Sequence, residues 1–168
     1  METSLPGAGP RYGLLEPTAL AAMSGLSFLR GLVDGSVPAP PFAEVADVAP
    51  LVVTNGRVVF SGTPSQRFYN PMGIVHGGWI SLLLDTAMGC AVHSSLPAQH
   101  AFATIEMKTV YARALRQEHG PVTCEAVLLH KGAQIASAEG KILDREGRLV
   151  AHGSETCFIR ALTAGSGQ

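Results

Sequence analysis

Residues Asn70-Pro71-Met72-Gly73-Ile74-Val75-His76-Gly77-Gly78 run directly into Trp79-Ile80-Ser81-Leu82-Leu83-Leu84-Asp85, and this junction combines two features with chemical consequences. A polar, glycine-rich turn that opens an apolar helix leaves backbone N–H groups uncovered at the end where the helix dipole is positive. Such a terminus can hold an anion or polarise a carbonyl oxygen. Asp85 is out of place by the same physics. Asp is a poor helix-interior residue, and its charge is costly to bury among Leu83, Leu84, Ala87 and Met88. A carbonyl-polarising turn followed by a misplaced carboxylate has the makings of a reactive site.

The surrounding residues divide between chemistry and ordinary structure. His76 has no serine or cysteine motif beside it, and the other five histidines have no ligand spacing, so neither Ser–His catalysis nor a metal is indicated. A structural role at the turn, or a position facing the substrate, suits His76 better. Asn70 precedes Pro71, a common turn placement, and also brings a side-chain amide to the helix start. Thr104 falls in a strand-like stretch where threonine is ordinary. Trp79 and Met88 read as core or as walls of a pocket. The three cysteines, Cys90, Cys124 and Cys157, are widely spaced. They fit small buried hydrophobes in a reducing compartment rather than a disulfide or metal framework.

A chain of 168 residues suits one domain with its own core. Its 46% hydrophobic and 15% charged content points to apolar surface covered by another copy. A net charge of -1, with no basic run, argues against nucleic-acid binding. No segment has the length and apolarity of a membrane span, and Met1–Leu5 lacks the basic start of a signal peptide, so a cytoplasmic location is expected.

The elements that would hold the site follow from periodicity. A helix is predicted from Glu16-Pro17-Thr18 to about Leu32, with Leu20, Met23, Leu26 and Leu29 on one face. Asp34-Gly35 ends it, and Pro38-Ala39-Pro40-Pro41 reads as a stiff extended connector. Asn55-Gly56 between two Val-rich runs is a hairpin signal. After the helix from Gly77 to His93 come strands at about 101–111, 122–130 and 134–143, a turn at Asp144-Arg145-Glu146-Gly147, and a last strand at 149–159. Residues 1–13 read as loose and 161–168 as frayed. The fold class is α+β with an antiparallel sheet. Because the 77–93 helix is apolar nearly all round, it should be enclosed, which a sheet curled around it would achieve.

The motif Asn70-Pro71-Met72-Gly73-x-x-His76-Gly77-Gly78 with Asp85 resembles the hotdog-fold acyl-CoA thioesterases, closest to the branch of the phenylacetyl-CoA and 4-hydroxybenzoyl-CoA enzymes. The similarity continues through Thr104-Ile105-Glu106-Met107-Lys108, His130-Lys131-Gly132 and Gly147-Arg148-Leu149-Val150-Ala151, covering roughly residues 44–160. It implies an N-terminal helix and connector over 1–41, a hotdog domain over 42–161 and a flexible tail over 162–168. It also implies hydrolysis of acyl-CoA without metal or organic cofactor, at a site on the interface of a homodimer that often pairs further into a homotetramer, with no nucleic-acid or membrane partner. Carried over residue by residue, Asp85 is the general base or nucleophile and Gly77 N–H the oxyanion donor. Asn70 holds the carbonyl or water, and Thr104 positions water. His76, Gly78, Trp79, Met88, Arg113, Lys131 and Gly132 are the expected substrate contacts, with Arg113 and Lys131 gripping CoA phosphates. Where many members carry a second basic residue after the Lys-Gly turn, this chain has Ala133-Gln134.

Spacing adds an argument for a shared site. Gly77 and Asp85 are eight residues apart, roughly 12 Å along a helix axis, whereas reacting groups must approach to about 3 Å. Two such helices side by side and antiparallel would bring one chain's Gly77 beside the other's Asp85. Two rival readings remain: a hotdog hydratase or dehydratase, which needs a His–acid pair not visible here, and a non-catalytic acyl-CoA sensor. Sensors usually carry a DNA-binding segment, and nothing before residue 40 is basic or long enough for one.

Overall fold

A computed structural model describes residues 12–162; the remainder of the two ends expected to be loose or frayed lies outside the described residues. The elements in chain order are α1 (Pro17–Ala21), α2 (Gly25–Asp34), α3 (Pro41–Ala46), β1 (Val48–Thr54), β2 (Arg57–Gly62), α4 (Gly77–His93), β3 (His100–Tyr111), β4 (Val122–Lys131), β5 (Ile135–Leu143) and β6 (Leu149–Ala161). The strands form one antiparallel sheet in the order β1-β2-β4-β5-β6-β3. The β1–β2 hairpin turns at Asn55-Gly56, where Gly56 has φ +76°, a conformation that a side chain would oppose.

The expected central helix forms with the predicted bounds, Gly77–His93. Trp79, Ile80, Leu83, Leu84, Ala87, Met88, Ala91 and Val92 are all buried, so the helix offers no broad polar face to solvent. They pack against inward residues of the sheet, including Phe60, Val122, Cys124, Ala136, Ala138 and Cys157. The sheet wraps the helix, as the hotdog resemblance implies.

Two expectations for the N-terminal region need correction. The predicted single helix is two, α1 and α2, separated by a break at residues 22–24. Ser24 is extended (φ -69°, ψ 152°) and its Oγ accepts from Ser27 N–H at 3.2 Å, a cap that starts a new helix. The cause is tertiary. A Cβ on Gly25 would collide with the His93 carbonyl at the end of α4, and Gly25 N–H donates to Leu96 C=O at 3.0 Å. The chain must turn to make that approach, which apolar spacing cannot register. Pro41 also does not continue an extended connector. It opens α3, because proline loses nothing in a first helical turn.

The sheet ends on two different edges. β1 carries Pro50, which blunts pairing at that edge. β3 is twelve residues long, pairs among the described residues only with β6, and has no fully buried residue. Ile105 (58% exposed), Val110 and Tyr111 lie open along it. A bulge between Thr104 and Glu106 shifts its register.

Candidate active site

The turn before α4 is fixed by Asn70. Its Oδ1 accepts from Met72 N–H at 3.0 Å and from Ile74 N–H at 3.4 Å, while its backbone N–H donates to Ile74 C=O at 2.8 Å. With Oδ1 committed to the turn, the side-chain NH2 is the part left to meet another group. His76 N–H donates to Phe68 C=O at 2.8 Å and Val75 N–H to Leu115 C=O at 2.9 Å, which pins the approach to the helix.

His76 is the N-cap. It is extended (φ -61°, ψ 138°), its Nδ1 accepts from Gly78 N–H at 2.9 Å, and its carbonyl accepts from Trp79 N–H at 3.0 Å. Of these first-turn donors only Gly77 N–H lacks an acceptor among the described residues. Capping usually satisfies the orphan donors of a helix start. Here it leaves one, at the position suited to a carbonyl oxygen. Beside it, Tyr111 Oη donates to Gly77 C=O at 3.3 Å and lies 2.6 Å from Ser81 Oγ. A Cβ on Gly77 would sit 3.1 Å from the Tyr111 ring. A cleft of about 340 Å³ opens at this point, lined by Asn70, Ile74, Gly77, Ile80, Tyr111 and Arg113 among others.

Asp85 stands two turns further along α4 and is half-buried. Thr104 on β3 donates to its Oδ1 at 3.0 Å. The same Thr104 Oγ1 lies 2.9 Å from Oε1 of Glu155 on β6, and Cys157 Sγ–H donates to that Oε1 at 2.9 Å. Glu155 is 1% exposed, and among the described residues its Oε2 has no hydrogen-bond partner. Burial pushes its carboxyl up to about 7, with the Asp85 charge adding to burial and the hydrogen bonds from Cys157 and Thr104 opposing it. Burial, with the charges of Glu155 and Asp85, raises the Cys90 thiol to about 12 and keeps it an inert neutral group.

The expected site residues thus fall into separate groups. Asn70, His76, Gly77, Gly78 and Arg113 gather at the helix start; Asp85 and Thr104 meet at mid-helix. Trp79 is buried, stacked on Phe68 at 5.6 Å, and its Nε1–H donates to Ala46 C=O at 2.8 Å. It also walls a second, largely apolar cleft of about 430 Å³ shared with Phe42, Phe68, His76 and Leu82. Met88 is wholly buried in the core. Lys131 Nζ donates to Ser95 C=O at 2.8 Å, just past the end of α4, and Gly132 N–H closes the adjacent turn on Ile135 C=O at 2.7 Å. Both therefore lie at the opposite end of a seventeen-residue helix from Gly77, about 25 Å away along its axis.

Sequence reading passed over Glu155 and Tyr111. Glu155 did leave a signal: with Cys157 and Ile159 it occupies the inward register of β6, an acid where the alternation calls for an apolar residue. Tyr111 ends β3, and its neighbours Gly77 and Ser81 lie some thirty residues away in sequence, so no local pattern marks it.

Residues 72–151 match the family model of the thioesterase superfamily. Over those residues, just under half of the chain, the sequence is similar to the thioesterase superfamily, and the sheet wrapped around α4 is the hotdog fold. A Halobacterium salinarum protein named as a candidate esterase is 39% identical over 69 residues, 40% of this chain and 44% of that protein. The chain thus matches less than half the length of this curated relative. Among solved structures, a thioesterase of Haemophilus influenzae superposes with a TM-score of 0.72 at 18% identity, over 83% of this chain and 94% of its own. A phenylacetic acid degradation-related protein of Ralstonia eutropha gives 0.71 at 22% identity, over 78% and 98%. At these identities the likeness is one of fold. Among the described residues of the hotdog, no helix is long and apolar enough to cross a membrane.

Proposed function

We propose that the protein is an acyl-CoA thioesterase that hydrolyses the thioester at a site shared between two copies of the chain. The observation that carries this reading is the one first-turn N–H left without an acceptor among the described residues, Gly77, on a helix whose other capping donors are used. The thioester carbonyl oxygen accepts from Gly77 N–H, and the Asn70 amide stands beside it as a second donor or as a hold on water. As the carbonyl carbon becomes tetrahedral, its oxygen gains negative charge facing this N–H and the positive end of the helix dipole.

The carboxylate that completes the reaction is Asp85 of the partner subunit, because the same chain's Asp85 is too far along the helix. It acts as general base, taking a proton from water while the oxygen bonds to the carbonyl carbon, or as nucleophile, forming a mixed anhydride that water then opens. In either route the C–S bond breaks, CoA leaves as thiolate and takes up a proton, and the free acid remains. Thr104 holds Asp85 through one oxygen and leaves the other for the reaction. Arg113 lies on the rim of the Gly77 cleft, where the CoA phosphates would meet it. In an antiparallel pair of helices, Lys131 from the partner's far end approaches the same rim. The working location is the cytoplasm, where three free thiols stay reduced.

The test is thiol release from phenylacetyl-, 4-hydroxybenzoyl-, hexanoyl- and palmitoyl-CoA by wild type and Asp85→Asn. The expected result is turnover of at least one substrate, with a loss of about a thousandfold in the folded variant. Tight binding of acyl-CoA without release would make the protein a sensor instead.

A further inference from the structure

The proposed hydrolysis uses Asp85 and Thr104 but leaves their neighbour Glu155 without a task. A buried carboxyl with one oxygen unpartnered is expensive to keep, and here it abuts the residue that holds the reactive carboxylate. We propose that Glu155 is a positioning residue: it carries a proton, donates it in a hydrogen bond to Thr104, and so commits the Thr104 hydroxyl to Asp85. The inference rests on the reading of Asp85 as base or nucleophile.

Thr104 has one hydroxyl proton, yet its Oγ1 lies 3.0 Å from Asp85 Oδ1 and 2.9 Å from Glu155 Oε1. With both carboxyls ionised, one of them would face only the hydroxyl's lone pairs. Glu155 would then also hold a charge at a 1% exposed position with Oε2 bare. A proton on Glu155 Oε1 removes both difficulties. Glu155 O–H donates to Thr104 Oγ1, Thr104 O–H donates to Asp85 Oδ1, and Cys157 S–H donates to Glu155 Oε1. Oε2 becomes a neutral carbonyl oxygen, which is far less costly to bury than an anionic one.

The groups around Glu155 favour the protonated form. Asp85 and Cys90 face it from α4, and Cys157 from its own strand. Its register partners are Met107 on β3 and Ala138 on β5. His93, further along α4, is taken up by ring contacts at 5.5 Å with Phe28 and Phe102. The charged or ionisable neighbours that act on it are thus acids and thiols. Burial and the Asp85 charge, against the Cys157 and Thr104 hydrogen bonds, put its titration at about 7. Above that pH the Thr104 proton is contested between two carboxylates, and Asp85 loses its fixed orientation.

The experiment is the pH dependence of kcat and KM for the best acyl-CoA substrate, in wild type, Glu155→Gln and Glu155→Leu. It is paired with infrared titration of the protonated-carboxyl C=O stretch. Wild type should show kcat falling above pH about 7 with KM unmoved, since Glu155 is too buried to meet substrate. Glu155→Gln keeps a neutral donor opposite Thr104 at every pH, so that fall should vanish. Glu155→Leu should lower kcat about tenfold throughout at unchanged KM. A carboxylic-acid band that titrates near pH 7 should be present in wild type and missing in Glu155→Gln. An alkaline fall that persists unchanged in Glu155→Gln overturns the positioning role, as does a wild type without that band. Absence of thiol release from wild type, even with the band present, overturns the hydrolase reading itself and the positioning role with it.

Discussion

Glu155 and Asp144 are both buried carboxyls, 1% and 4% exposed, yet they are held in opposite ways. Burial alone would raise Asp144, but Arg148 N–H, Arg148 Nε and Glu146 N–H all donate to it, at 2.9, 2.8 and 3.0 Å, and the net shift is downward. Glu155 has no cation, and burial wins. The two residues therefore pull stability in different directions. Asp144 stabilises the fold above its ordinary value of 3.8, a contribution lost as pH falls through its lowered value. Glu155 does the reverse. Between its ordinary 4.5 and about 7 the unfolded chain releases a proton that the folded chain keeps, so stability falls as pH rises through that window, by about 3 kcal/mol in all. Urea melts at pH 5 and pH 8 should therefore show a larger drop for wild type than for Glu155→Gln, whose neutral amide does not titrate. Equal drops would mean that Glu155 is ionised in the fold. At this scale the sequence was legible where contacts are contiguous, as in the turn that Asn70 closes before the helix. It was opaque where contact spans 51 residues, as between Thr104 and Glu155.

Helix α4 depends on its first turn. His76 caps Gly78 N–H through its ring nitrogen, and replacing a side-chain cap by alanine costs about 1 kcal/mol. His76→Ala should lower the melting temperature by about 2–4 °C, which is what such a loss gives for a domain of this size. His76→Asn, whose short amide caps well, should recover most of it. A thermal melt in which Asn does no better than Ala would argue that the histidine acts by packing rather than by capping. The central helix itself was readable, bounds included, because its composition and its glycine start are local properties. The break between α1 and α2 was not. Leu20, Met23, Leu26 and Leu29 keep helical spacing through it, and only the closeness of Gly25 to the His93 carbonyl, sixty-eight residues away, requires the chain to turn.

For the whole molecule, the long edge strand β3 and the separation of Gly77 from Asp85 raise one question: whether the site exists in a single chain. An exposed edge strand with Ile105, Val110 and Tyr111 along it is a surface that proteins cover, and pairing two such edges would set two α4 helices side by side. A mixing experiment decides it. Gly77→Pro deletes the unpaired N–H and adds a ring whose Cβ comes 3.1 Å from Tyr111, in a backbone that accepts it, because proline is favoured at the first helical position and His76 already has the extended backbone that proline requires of its predecessor. Asp85→Asn removes the carboxylate. Each variant alone should be inactive. In a re-equilibrated equal mixture, half of the dimers contain one chain of each kind, and if the site is shared, one of their two sites pairs an intact Gly77 with an intact Asp85. About one quarter of wild-type turnover should then return, as two-fold symmetry dictates. If the site lies within one chain, every site keeps one defect and the mixture stays as inactive as its parts.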